Sequence, residues 1–272
     1  MTMTAAAPFR IRPVICLFGD SITQQGFGVN GRNGWASLLA SAYARRADVV
    51  NRGFSGYNTV HALELLPRVF GPLESTATPT DTGSNEDGDD DNDDKNSMLF
   101  CTVFFGANDA ALPGEGQHVP MQQYGDNIGK IVDRIRARCG GGGGATFPII
   151  LLTPPPVDEK AWAAWREIET SDRENMVARE YGATMKQVAA RHDCHAVDTW
   201  ELLQGDSADR SRFLSDGLHL NESGNQLVYQ GLMNLLQTKY PELAPMEDGE
   251  GKWGKAGIPL EEKLWQELMV KS

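Results

Sequence analysis

The chain is 272 residues long, 40% hydrophobic and 23% charged, with a formal net charge of −12. Those proportions describe one globular domain with a substantial core and exclude a collagen-like or wholly disordered chain, while the acidic balance gives no reason to expect a nucleic-acid partner. No stretch approaches the roughly 18 apolar residues of a membrane span, and Met1 to Ala7 has neither the basic start nor the apolar core of a secretory signal, so a cytoplasmic protein is expected.

Behind a tail of residues 1–12, Val14-Ile15-Cys16-Leu17-Phe18 is an unbroken apolar run and predicts a strand buried on both faces. It ends in Gly19-Asp20-Ser21, a tight turn carrying a hydroxyl. Ser and Asp are favoured helix caps, so the turn alone points equally to structure and to chemistry. In an open α/β sheet, however, ligands bind beyond the carboxyl ends of the strands, which is where Ser21 would stand. Gln24 to Asn33 is glycine-rich, but its Gly26-x-Gly28 pair lacks both a dinucleotide fingerprint and the lysine of a phosphate loop, so it shapes a rim. Trp35, Leu38, Leu39 and Ala42 recur at helical spacing and predict a helix packed on the sheet. A short strand at Val49-Val50 follows and leads to Gly56, whose missing Cβ would let its N–H approach a bound anion closely. Thr59 to Phe70 predicts a helix, on which His61 is a surface or core histidine rather than a base.

From Asp81 to Asp94 eight of fourteen residues are acidic, the greater part of the net charge, and no apolar periodicity accompanies them. The segment reads as a disordered insert over about residues 74–96, because it has too little apolar surface to bury. Its spacing does not match a calcium loop, so no metal is predicted there. Met98 to Val103 is a second buried run. It ends in Phe104-Phe105-Gly106-Ala107-Asn108-Asp109, which puts a side-chain amide just past a strand end, where an amide can donate to an oxyanion. His118, in the loop after it, is expected to line the entrance. Ile128, Ile131, Val132 and Ile135 form an i, i+3, i+4, i+7 stripe, so Pro120 to Cys139 predicts a helix, stopped by the glycines from Gly140.

Phe147 to Leu152 predicts the next buried strand, and Thr153-Pro154-Pro155-Pro156 a rigid wall beside the site. One helical region is expected from Glu159 to Arg191, with Trp162 and Trp165 as pocket or core residues, the core preferred. His192 and His195 precede a strand near Ala196-Val197, the wrong end of a strand for chemistry, and are read as structural. The cysteines Cys16, Cys101, Cys139 and Cys194 form no Cys-x-x-Cys pair and are expected to be buried thiols. In Ser215-Asp216-Gly217-Leu218-His219, a three-residue spacing lets a carboxylate lie beside an imidazole and orient it as a base for Ser21. A surface turn before a helix would show the same spacing.

Taken together, four blocks resemble the SGNH branch of the GDSL hydrolases: Gly19-Asp20-Ser21, Asn51-Arg52-Gly53-Phe54-Ser55-Gly56, Gly106-Ala107-Asn108-Asp109 and Asp216-Gly217-Leu218-His219, all in the family's order. Longer runs, Phe105 to Ala110, Gln117-His118-Val119-Pro120 and Leu152 to Glu159, are similar to the isoamyl acetate-hydrolysing esterase-like group. The resemblance covers roughly residues 13–240. It implies Ser21 as nucleophile, Asp216 and His219 completing the triad, and the Ser21 and Gly56 N–H groups and the Asn108 amide as oxyanion donors. Asp20, His118, Pro154 and Leu218 are expected to contact substrate. No Gly-x-Ser-x-Gly elbow occurs, which disfavours the common α/β-hydrolase arrangement.

The expected fold is a three-layer α/β/α sandwich around a parallel sheet of about five strands in the flavodoxin-like order. The function implied is hydrolysis of a small acetate-type ester through an acyl-enzyme, with neither metal nor organic cofactor. A carbohydrate O-deacetylase or lysophospholipase-like hydrolase is the alternative within enzymes. A non-catalytic binding protein of this fold would be expected to lack a triad member, and none is missing. Beyond residue 240, a charged, glycine-rich linker precedes an amphipathic segment, Pro259 to Val270, with Leu260, Leu264, Trp265 and Leu268 on one face. Such a face needs a surface to cover it, at the site's mouth or, preferably, across a homodimer interface.

Overall fold

The computed structural model describes residues 12–29, 31–71, 98–139, 147–204 and 210–245. Residues 1–11, the acidic insert, the glycine run and residues 246–272, with the amphipathic segment, lie outside the described residues. Five strands, β1 Val14–Gly19, β2 Asp48–Gly53, β3 Met98–Phe104, β4 Ile149–Leu152 and β5 His195–Val197, form one sheet in the order β2-β1-β3-β4-β5. Every neighbouring pair is parallel, and the order is the flavodoxin-like one.

The unbroken apolar runs have a direct structural cause. Side chains alternate across a strand, so Ile15, Leu17, Phe100, Phe104, Ile150 and Leu152 enter one core, while Cys16, Phe18, Cys101, Val103, Ile149 and Leu151 enter the other. The first core is closed by α2 Trp35–Ala42, α5 Glu159–Arg166, α7 Thr199–Gln204 and α8 Glu222–Lys239. The second is closed by α3 Thr59–Val69, α4 Met121–Cys139 and α6 Asn175–Arg191. All four residues of the Ile128 stripe on α4 are fully buried, each contributing roughly 1.5–3 kcal/mol of apolar transfer. Among the described residues, no helix is long and apolar enough to cross a membrane. Cys16, Cys101 and Cys194 are buried and Cys139 is half-buried, all as free thiols.

Two elements differ from expectation. Strand β2 runs on through Asn51-Arg52-Gly53, because these polar residues keep the ladder to β1 at the half-buried sheet edge. The single helical region from Glu159 to Arg191 is two helices. Helix α5 ends with Glu167 in a left-handed conformation, φ 55°. The Ser171 hydroxyl then takes over local hydrogen bonding, donating to the Arg173 carbonyl at 2.6 Å and accepting from its N–H at 3.1 Å. The interruption carries Asp172 and Arg173 inward.

Candidate active site

Parallel register brings three strand ends together. Gly19 pairs with Gly53 on one side and Phe104 on the other. The Gly19 carbonyl accepts from Phe54 N–H at 2.8 Å, and Asp20 N–H donates to the Phe104 carbonyl at 3.2 Å. The turn at Ser21 is thus flanked by the loops after β2 and β3. Asp20 caps the short helix α1, Ser21–Gln24, accepting from Ile22 N–H at 3.0 Å, so Ser21 is its first residue and its N–H has no helical partner.

His219 reaches this turn from the segment before α8. Its Nε2 lies 2.9 Å from Ser21 Oγ, and its Nδ1 lies 2.6 Å from Asp216 Oδ2. The other Asp216 oxygen accepts the backbone N–H groups of Leu218 at 3.0 Å and His219 at 2.8 Å. Burial pushes the Asp216 carboxyl up, but the hydrogen bond and charge of His219 and those two N–H groups outweigh it and hold it below the ordinary carboxylate value. An ionised carboxylate only accepts, so Nδ1 carries the proton and the Nε2 lone pair faces the Ser21 hydroxyl.

Gly217 seats this turn. Its φ is 96°, and a Cβ there would stand 2.4 Å from Trp162 N and 2.6 Å from the Asp158 carbonyl, so only glycine lets the turn rest on the start of α5. Trp162, in the core as expected, puts its ring 6.1 Å from the His219 ring. Trp165 does not join it there: it is 57% exposed, stacks on Trp162 at 5.0 Å and 21°, and lies 6.2 Å from His219. One helical turn separates the two indoles, and only the first faces the sheet.

The loops after β2 and β3 carry Gly56 and Asn108. Gly56 has φ 80°, and an added Cβ would meet only Gln117 Nε2 at 3.6 Å, so backbone twist rather than crowding requires the glycine. Asn108 Nδ2 donates to the Tyr57 carbonyl at 2.9 Å, leaving its second N–H for a ligand. Asn108 Oδ1 accepts from Gln117 Nε2 at 3.0 Å and from an Arg173 guanidinium nitrogen at 3.4 Å. The arrangement therefore combines a hydroxyl within hydrogen-bond reach of an oriented imidazole with an amide whose second N–H has no protein partner, parts that acyl transfer can use.

Of the residues expected to contact substrate, Asp20, Pro154 and Leu218 are buried, as are Ser21 and Asn108 themselves. Burial raises the Asp20 carboxyl to about 7 against the pull of Ile22 N–H, His219 and Arg173. His118 is half-buried, with Nδ1 2.6 Å from the Ala111 carbonyl. His61 is exposed and caps α3, accepting from Asn58 N–H at 3.3 Å, and His192 pairs with Asp133 at 2.9 Å, away from the site. Sequence reasoning missed Gln117, Asp172 and Arg173 as supports of the site. The Thr170-Ser171-Asp172 run, good cap chemistry inside an assumed helix, was the signal for the second and third. Among the described residues, no three His, Cys, Asp or Glu side chains gather to hold a metal ion.

The profile of the GDSL-like lipase/acylhydrolase family matches residues 17–227. A bovine (Bos taurus) isoamyl acetate-hydrolyzing esterase 1 homolog is 39% identical over 235 residues, covering 85% of this chain and 84% of that protein. A GDSL esterase/lipase of Arabidopsis thaliana is 37% identical over 249 residues, covering 87% and 91%. Among solved structures, a lipase/acylhydrolase from Enterococcus faecalis superimposes with a TM-score of 0.56 at 21% identity, covering 84% of this chain and 96% of that one, a likeness of fold.

Proposed function

As the chain belongs to the GDSL-like lipase/acylhydrolase family, we propose that it is a serine esterase that hydrolyses small, short-acyl carboxylic esters through an acyl-enzyme. The observation that carries this reading is the hydrogen-bonded line from Ser21 Oγ through both ring nitrogens of His219 to Asp216. In the reaction, Ser21 Oγ attacks the ester carbonyl carbon while His219 Nε2 takes its proton, and Asp216 holds the resulting imidazolium. The carbonyl oxygen, now anionic, receives N–H groups from Ser21, Gly56 and Asn108. Collapse expels the alcohol, which takes the proton from His219. A water molecule then repeats the sequence at the acyl-serine and frees the acid.

The substrate class rests on relatives named for isoamyl acetate hydrolysis and on the exposed indole of Trp165 beside His219, an apolar wall for an alkyl group. The test is a chain-length series of nitrophenyl esters run beside isoamyl acetate and an acetylated sugar. The reading expects the highest kcat/KM on acetate and other short-acyl esters of aliphatic or aromatic alcohols. A preference for long acyl chains or for the acetylated sugar would overturn it.

A further inference from the structure

We propose that Gln117 and Arg173 are positioning residues that aim the Asn108 amide at the oxyanion; this rests on the esterase reading above. A side-chain amide has two ends of nearly the same shape, and a flipped Asn108 would present a carbonyl oxygen where negative charge develops. Something must decide which end faces the reaction. Asn108 Oδ1 is turned toward two donors, Gln117 Nε2 and the Arg173 guanidinium. Flipping it would set Nδ2 against both and Oδ1 against the Tyr57 carbonyl, losing three hydrogen bonds at once.

Gln117 is itself an amide, and its direction comes from Arg173. The guanidinium can only donate, and it donates to Gln117 Oε1 at 2.6 Å. That leaves Gln117 Nε2 to donate to Asn108 Oδ1 and to the Gly56 carbonyl at 2.9 Å. Gln117 therefore ties the two oxyanion-bearing loops together. Arg173 has no freedom to turn: it is 1% exposed, donates through Nε to the Ala107 carbonyl at 3.0 Å and through another nitrogen to Asp172 at 2.7 Å, and lies over the Trp162 ring at 5.1 Å. Direction thus passes from one fixed cation through two amides to the N–H that meets the substrate.

The test is Gln117→Leu, which keeps the volume and removes both donated bonds, with turnover normalised to active sites titrated by a phosphonate so that any unfolded fraction does not enter kcat. The expected result is a loss of roughly 10- to 100-fold in kcat with KM within about two-fold. In an Asn108→Ala background, Gln117→Leu should cost markedly less than it does alone, because the part of its effect that passes through that amide is already lost and only its hold on the Gly56 carbonyl remains. Arg173→Lys, which keeps the cation beside Asp172 but lacks the fork, should also lower kcat and spare KM. Wild-type kcat in Gln117→Leu, a loss that adds fully to that of Asn108→Ala, or a change confined to KM or melting temperature overturns the proposal. If Asn108→Ala alone leaves kcat unchanged, the oxyanion role of Asn108 fails, and the positioning role fails with it.

Discussion

Ser21 and His219 are 198 positions apart in the chain, and their side chains meet with Oγ 2.9 Å from Nε2. Ser21 is delivered by the end of β1, and His219 by a turn clamped onto the start of α5 through the 2.9 Å hydrogen bond from Asp158 N–H to the Gly217 carbonyl. Ser21→Ala and His219→Ala should each lower kcat by about 10⁴- to 10⁶-fold while the circular dichroism spectrum stays native. Ester turnover at a tenth of the wild-type rate in purified Ser21→Ala would rule out the nucleophile.

Asn108→Ala should be milder, about 10²- to 10³-fold in kcat with KM nearly unchanged, because its free N–H is asked to bind charge that exists mainly in the transition state. Steady-state kinetics on a nitrophenyl acetate separate the two constants. A rise in KM alone would make Asn108 a substrate-holding group instead.

Trp165→Ala should lower kcat/KM for isoamyl acetate about 5- to 30-fold relative to methyl acetate, the equivalent of ~1–2 kcal/mol of lost apolar contact. The melting temperature should barely move, since the indole is 57% exposed. Equal losses on both esters would mean that the indole supports His219 and does not touch the alkyl group.

Gly217→Ala forces a side chain onto φ 96° and into the backbone of α5, so stability should fall by about 1–3 kcal/mol and kcat should fall with it. Denaturant unfolding and esterase kinetics on the same preparation test this. A variant with wild-type stability and activity would show that the turn at Asp216 to His219 does not depend on its seat on α5.

Asp20 gives a stability effect with a definite sign. Its folded carboxyl titrates at about 7 and its unfolded one at 3.8. Between those values the unfolded chain has lost the proton and the folded chain keeps it. Asp20 therefore contributes stability that is fully present below the unfolded value and is lost as pH rises through the folded one. Asp20→Asn, unable to titrate, should gain on wild type by a few kcal/mol, on the order of 1.4 per unit of the interval, as pH is raised from about 4 to about 7.5. Thermal unfolding at matched ionic strength measures it, and parallel curves for the two proteins would refute the assignment.

The apolar runs at Val14, Met98 and Phe147 and the stripe on α4 made the sheet and its two-sided cover legible, because burial on both faces of a strand or on one face of a helix writes a period into the sequence. The residues of the candidate site were legible as block motifs, since each follows a strand end or sits in one short turn. The break between α5 and α6 was not, because Ala, Glu and Arg on both sides of it suit a helix and the hydroxyl of Ser171 acts only against one particular backbone geometry. For Trp165 the core was preferred over a pocket because hydrophobicity does not say which of two indoles one turn apart faces the sheet. Asp20, Pro154 and Leu218 border the motif residues in sequence, and their burial is set by the packing around the site. The chain alone thus determined the layers, the strand-end chemistry and the residue types at the site. Only the packed structure decided that Arg173 meets Gln117, 56 positions away, and Asn108, 65 positions away, because such contacts are set by how loops from different strands close over one another, and no local period records them.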